Sequence, residues 1–99
     1  MSEGIYTVYI MTNLTNRVLY TGFTSKSILE RVYEHRAKLV SGFTAKYNVI
    51  KLVWYECCND RDAALTRERQ IKGWKRERII SLIKAMNPGW RNLTETLQL

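Results

Sequence analysis

The sequence predicts an α+β fold: a small three-stranded antiparallel sheet flanked by helices. Three observations carry that expectation. Aromatic and β-branched residues, which favour strands, are dense over the first 21 positions and again over 49–57. Apolar residues across 28–39 and 62–86 recur every three to four positions, the period of a helix with one buried face. The segments follow the order ββαβαα, which suits a compact sheet covered by helices. At 99 residues the chain can bury one modest core but not two, so residues 1–99 are expected to form a single domain.

Taken in order, Tyr6 to Met11 reads as the first strand and Arg17 to Thr21 as the second, joined by the turn chemistry of Thr12 to Asn16. Gly22 is expected to end the second strand. Thr24, Ser25 or Ser27 then caps a helix running to about Val40, which Ser41-Gly42 stops. A loop over Phe43 to Asn48 leads into a mostly apolar, buried third strand, Val49 to Cys57. Asn59 or Asp60 caps a helix over 62–72, and Gly73 interrupts it. A last helix covers 75–86, with Ile79, Ile80, Ile83 and Met86 on one side. Asn87-Pro88-Gly89 ends it, leaving Trp90 and Leu93 as docking residues of a short tail.

Composition narrows the function classes. Apolar residues make up 45% and charged residues 25%, which excludes a disordered basic tail, and one Pro with five Gly excludes a fibrous repeat. No apolar run approaches the ~20 residues of a membrane span, and the first thirteen residues lack the basic and apolar regions of a secretory signal. A cytoplasmic protein is expected. Cys57 and Cys58 with one histidine cannot close a four-ligand zinc site, and adjacent cysteines make a strained disulfide, so reduced thiols are expected. The net charge of +7 is concentrated: Lys26–Lys51 sum to +4 and Asp60–Lys84 to +4, Glu56 between them subtracts one, and both ends are neutral. A basic surface of that kind attracts phosphate polymers.

Several residues break the packing pattern. On the first helix His35 falls on the stripe set by Ile28, Val32 and Leu39, with Arg31 one turn earlier at its edge. On the next helix Glu68 sits among Ala64, Leu65 and Ile71, where a carboxylate is costly unless a cation meets it. Arg67, Arg69 and Lys72 are local partners; a divalent metal completed by phosphate oxygens and water is the other. Tyr9 and Tyr20, on adjacent strands, can bring two phenols together, and a phenol beside cations can act as a general base.

The ordered set Thr7-Val8-Tyr9, ten residues, Tyr20-Thr21-Gly22, Arg31-x3-His35 and Glu68 resembles the GIY-YIG nuclease superfamily. The likeness is to its small stand-alone bacterial branch, akin to the nuclease domain at the N-terminus of an excinuclease. Gly4-Ile5-Tyr6 spells the first signature literally, but thirteen residues separate it from Tyr20, so the spacing assigns that signature to Tyr9. The resemblance implies a divalent-metal-dependent endonuclease acting on DNA, with RNA left open, in repair or recombination. Tyr9 would be general base or relay, Tyr20 its support, and Arg31 a stabiliser of phosphate charge. His35 would stand near the nucleophile, and Glu68 would hold one Mg2+ or Mn2+ ion. Lys26 and Lys46 are candidate phosphate contacts, and Asn87 or Asn92 is a candidate further site residue. The alternatives are a nucleic-acid-binding module without catalysis and, on Trp74, Trp90 and the apolar tail, a protein-interaction domain. The sequence leaves open the DNA structure cut, a targeting partner and the oligomeric state.

Overall fold

The computed structural model describes residues 5–39 and 42–97. Three antiparallel strands form the sheet, β1 (Tyr6–Thr12), β2 (Leu19–Thr24) and β3 (Lys51–Cys58), in the order β2-β1-β3. The β1–β2 connection closes on Asn13, whose Oδ1 accepts from the amides of Arg17 (2.9 Å) and Val18 (3.1 Å). Asn16 turns the chain at φ 61°, a region asparagine tolerates.

β1 supplies both layers, because alternate side chains of a strand face opposite ways. Val8 and Ile10 enter one core with Val53, Trp54, Ala64, Ile71 and Ile83. Tyr9 and Met11 enter the other with Val32, Val49 and Leu52. The first core is covered by α3 (Arg61–Lys72) and α4 (Arg76–Met86). The second is covered by α1 (Ile28–Arg36), with Leu93 and α5 (Thr94–Leu97) closing its end. The register between β1 and β3 shifts between Ile10 and Met11, and the neighbours Val53 and Trp54 join the same core.

The three strands, their antiparallel pairing and the flanking helices are as expected, and the details correct several boundaries. β2 begins later than Arg17 and continues through Gly22, which pairs with Tyr9 in mid-strand. α1 stops at Arg36: Lys38 takes φ 59°, and Leu39, expected on the buried stripe, is 68% exposed. The expected helix end at Val40 and the stop at Ser41 lie outside the described residues. The expected loop after Gly42 contains a one-turn helix, α2 (Phe43–Lys46). β3 runs from Lys51 rather than Val49, and continues to Cys58 rather than Cys57. Asp60, not Asn59, caps α3, its Oδ2 accepting from the Ala63 amide at 2.9 Å. On α4, Leu82 packs toward the core whereas Met86 is exposed. Among the described residues no helix is long and apolar enough to cross a membrane.

Candidate active site

The site forms around the β2 edge of the sheet. Tyr9 and Gly22 are cross-strand partners, and Tyr20, two residues from Gly22, shares their face. The Tyr9 and Tyr20 rings lie 6.3 Å apart. A Cβ on Gly22 would stand 2.7 Å from Tyr9 Oη and 2.9 Å from Tyr20 Cε2, so only glycine leaves room for both phenols. Tyr9 is fully buried and Tyr20 half-buried, which makes Tyr20 the phenol at the mouth.

α1 brings Arg31 and His35 to the Tyr9 oxygen, one helical turn apart. Arg31 Nε donates to Oη at 3.2 Å, and His35 Nε2 lies 3.1 Å from the same atom. His35 is fully buried and its Nδ1 has no partner among the described residues. An unpartnered lone pair costs less than a buried N–H without an acceptor, so we assign the proton to Nε2, which donates to Tyr9. Burial, and then the Arg31 charge, lower the His35 pKa to about 4, which keeps the ring neutral. Burial also pushes the Tyr9 phenol up to about 12, against the downward pull of the Arg31 hydrogen bond and charge. Arg31 is itself steadied by Glu34, which accepts from Nη1 at 2.9 Å and pairs with Lys26.

Glu68 reaches the site from α3, on the opposite side of the sheet. Its charge is close enough to contribute to the raised Tyr9 pKa. Its side chain is 12% exposed, and Oε2 accepts from Lys72 Nζ at 3.0 Å. The Lys72 ammonium stands 6.0 Å from the Tyr20 ring centre, and both residues line an open cleft of about 260 Å³ with Leu19, Thr21, Phe43 and Ile79. A second cleft, of about 410 Å³, joins Arg31 to Lys26 and Arg61 beside Tyr6 and Phe23. Glu68 already holds one cation, and it offers a hard oxygen donor. Among the described residues no three His, Cys, Asp or Glu side chains gather as a metal cage. The donor set therefore fits an ion of the magnesium type, held through one carboxylate and completed by water and phosphate oxygens.

Of the residues singled out in the sequence, Tyr9, Tyr20, Arg31, His35 and Glu68 are brought together. Lys26 stands at the rim, through Glu34. Lys46 lies apart, over the Tyr47 ring at 5.3 Å, and reaches Tyr20 only through the Tyr47–Phe43–Tyr20 series of rings. Asn87 is consumed structurally: its amide donates to the carbonyls of Val53 and Arg91 and accepts from the Arg91 amide. Asn92 accepts from the amide and hydroxyl of Thr94. Sequence reasoning missed Glu34, although its three-residue spacing from Arg31 is a signal for an ion pair. It also missed the second role of Gly22, which only the packing of two tyrosines reveals.

A family model described as the GIY-YIG catalytic domain matches residues 5–80, and the chain belongs to the GIY-YIG family of nucleases. Its relatives carry the name UPF0213. One from Haloquadratum walsbyi is 39% identical over 71 residues, covering 72% of this chain and 78% of its own. Another, from Desulfotalea psychrophila, is 34% identical over 84 residues, covering 84% of this chain and 74% of its own. The solution NMR structure of a UPF0213 protein from Bacillus halodurans has the same fold, with a TM-score of 0.57 and 21% identity over 92% of this chain and 95% of that one.

Proposed function

We propose that residues 1–99 form one catalytic domain, a divalent-metal-dependent endonuclease that hydrolyses DNA phosphodiester bonds. The observation that carries this reading is the convergence of Arg31 and His35 from α1 and Glu68 from α3 on the Tyr9–Tyr20 pair. A module that only binds nucleic acid has no use for a buried histidine and arginine clasping one phenol, nor for a carboxylate drawn into its basic surface.

Arg31 holds the scissile phosphate with the N–H groups that Tyr9 and Glu34 do not occupy, and stabilises the charge that builds as the bond breaks. Tyr20, at the mouth, positions the attacking water. Tyr9, behind it, receives the proton of that water, directly or through Tyr20. Tyr9 takes that proton as the phenolate, its own proton having gone to solvent beforehand; Arg31 Nε and His35 Nε2, as donors, hold the phenolate until then, and Tyr9 ends the step as the neutral phenol. Glu68 would hold one Mg2+ or Mn2+ ion, which would supply positive charge against the phosphate and ease ionisation of the phenols. Lys26 and Lys46 contact flanking phosphates.

The test is cleavage of labelled duplex, branched, flap and single-stranded DNA with and without Mn2+. Metal-dependent products are expected from the wild type, with Glu68→Gln inactive and Arg31→Ala slowed by on the order of 10²-fold or more. Absence of cleavage on every substrate, or full activity in Glu68→Gln, would sink the reading.

A further inference from the structure

Glu68 and Lys72 form an asymmetric pair. The Glu68 side chain is 12% exposed and the Lys72 side chain 51%, so a withdrawn carboxylate is met by an ammonium arriving from solvent. Two nearby cations are engaged elsewhere: Arg31 with Tyr9 and Glu34, and Arg67 with Glu56. Lys72 is the last residue of α3, on a flexible four-carbon stem, and its Nζ also lies above Tyr20 at the cleft. A cation removed from Glu68 at this place stays at the mouth of the site, where the nearest anion to receive it is an arriving phosphate.

We propose that Lys72 is a displaceable counter-ion: it occupies Glu68 in the resting protein, yields it to a divalent cation, and then contacts the backbone phosphate of the bound strand. The proposal rests on the reading of Glu68 as the metal ligand. In the resting protein the ammonium competes with the ion and keeps its affinity low. A bound strand draws Lys72 away, so strand and ion each favour the other, and the coupling is reciprocal. Lys72 is thus a positioning residue that links occupancy of the carboxylate to arrival of the substrate.

The measurement is Mn2+ affinity, followed by the electron paramagnetic resonance signal of the free ion. It is made with and without a phosphorothioate oligonucleotide that resists cleavage. Lys72→Met, which keeps most of the stem, should bind Mn2+ about three- to tenfold more tightly than the wild type without DNA. Lys72→Arg should keep the weak wild-type affinity. The oligonucleotide should tighten Mn2+ binding more in the wild type than in Lys72→Met. Affinity in Lys72→Met that is unchanged or weaker, while Glu68→Gln abolishes binding, overturns the role of Lys72 alone. Equal tightening by the oligonucleotide in both proteins overturns the transfer of Lys72 to the strand. Equal binding by the wild type and Glu68→Gln removes Glu68 as the ligand, and the proposal falls with the reading beneath it.

Discussion

Tyr9 answers two opposing demands, since the burial that fixes its position also holds its proton, at a pKa of about 12. Arg31 and His35 offset part of that cost by aiming two N–H donors at one oxygen. The space for this arrangement is the missing side chain of Gly22. Gly22→Ala should lower stability by about 1–3 kcal/mol in urea denaturation, because the new methyl would overlap Oη and Cζ of Tyr9. Tyr9→Phe in the same chain should recover part of the loss by removing the closest contact. His35 sets a pH dependence whose sign is fixed by its depressed pKa. Between about 6.5 and about 4 the unfolded chain binds a proton that the folded protein refuses. Stability should therefore fall as pH drops through that window, by up to about 1.4 kcal/mol per unit from this group, and be independent of it above about 6.5. Urea midpoints from about pH 7.5 to about pH 5 would show the slope, and His35→Gln should flatten it. At this scale the sequence was informative: a histidine and a carboxylate on apolar stripes were visible as anomalies. The second meaning of Gly22 was hidden, because glycine as a strand terminator and glycine as a site of close approach look alike until the facing side chain is known.

The elements divide the work of aiming these groups. α3 must present Glu68 inward, and its neighbour Arg67 fixes the rotation of the helix from the other side. Arg67 pairs with Glu56 and lies over both Trp54 (5.9 Å) and Trp74 (5.5 Å), while Arg78 covers Trp74 at 4.0 Å. The start of α3 is secured by Asp60. Asp60→Ala should cost about 1 kcal/mol of stability, measured by thermal or urea unfolding, and leave the Mn2+ affinity of the folded protein unchanged. The strands, α3 and α4 were legible because their periodicity and stop signals agree: Asp60 before α3, Gly73 after it and Asn87-Pro88 after α4. The end of α1 was not. Its apolar spacing continues to Leu39, but Lys38 adopts a left-handed conformation that no glycine or asparagine announces, and Leu39 turns to solvent. α2 was missed because a single turn of four residues is too short to show a period.

At the scale of the whole molecule, Arg31 and His35 on one side and Glu68 on the other lie on opposite faces of one thin sheet and meet around its β2 edge. The helices on each face have their own core, yet both cores share β1. That strand is paired along both sides, so its amides can exchange with solvent only when the protein opens globally. Hydrogen exchange should rank the amides of Val8, Tyr9 and Ile10 among the slowest in the chain. The same connectivity has a thermal consequence. No partial melting can free one layer while the other persists, since each would have to give up the strand that holds Tyr9. Cleavage measured on a rising temperature ramp should therefore hold until the unfolding midpoint and vanish there, with no inactive folded state at lower temperature.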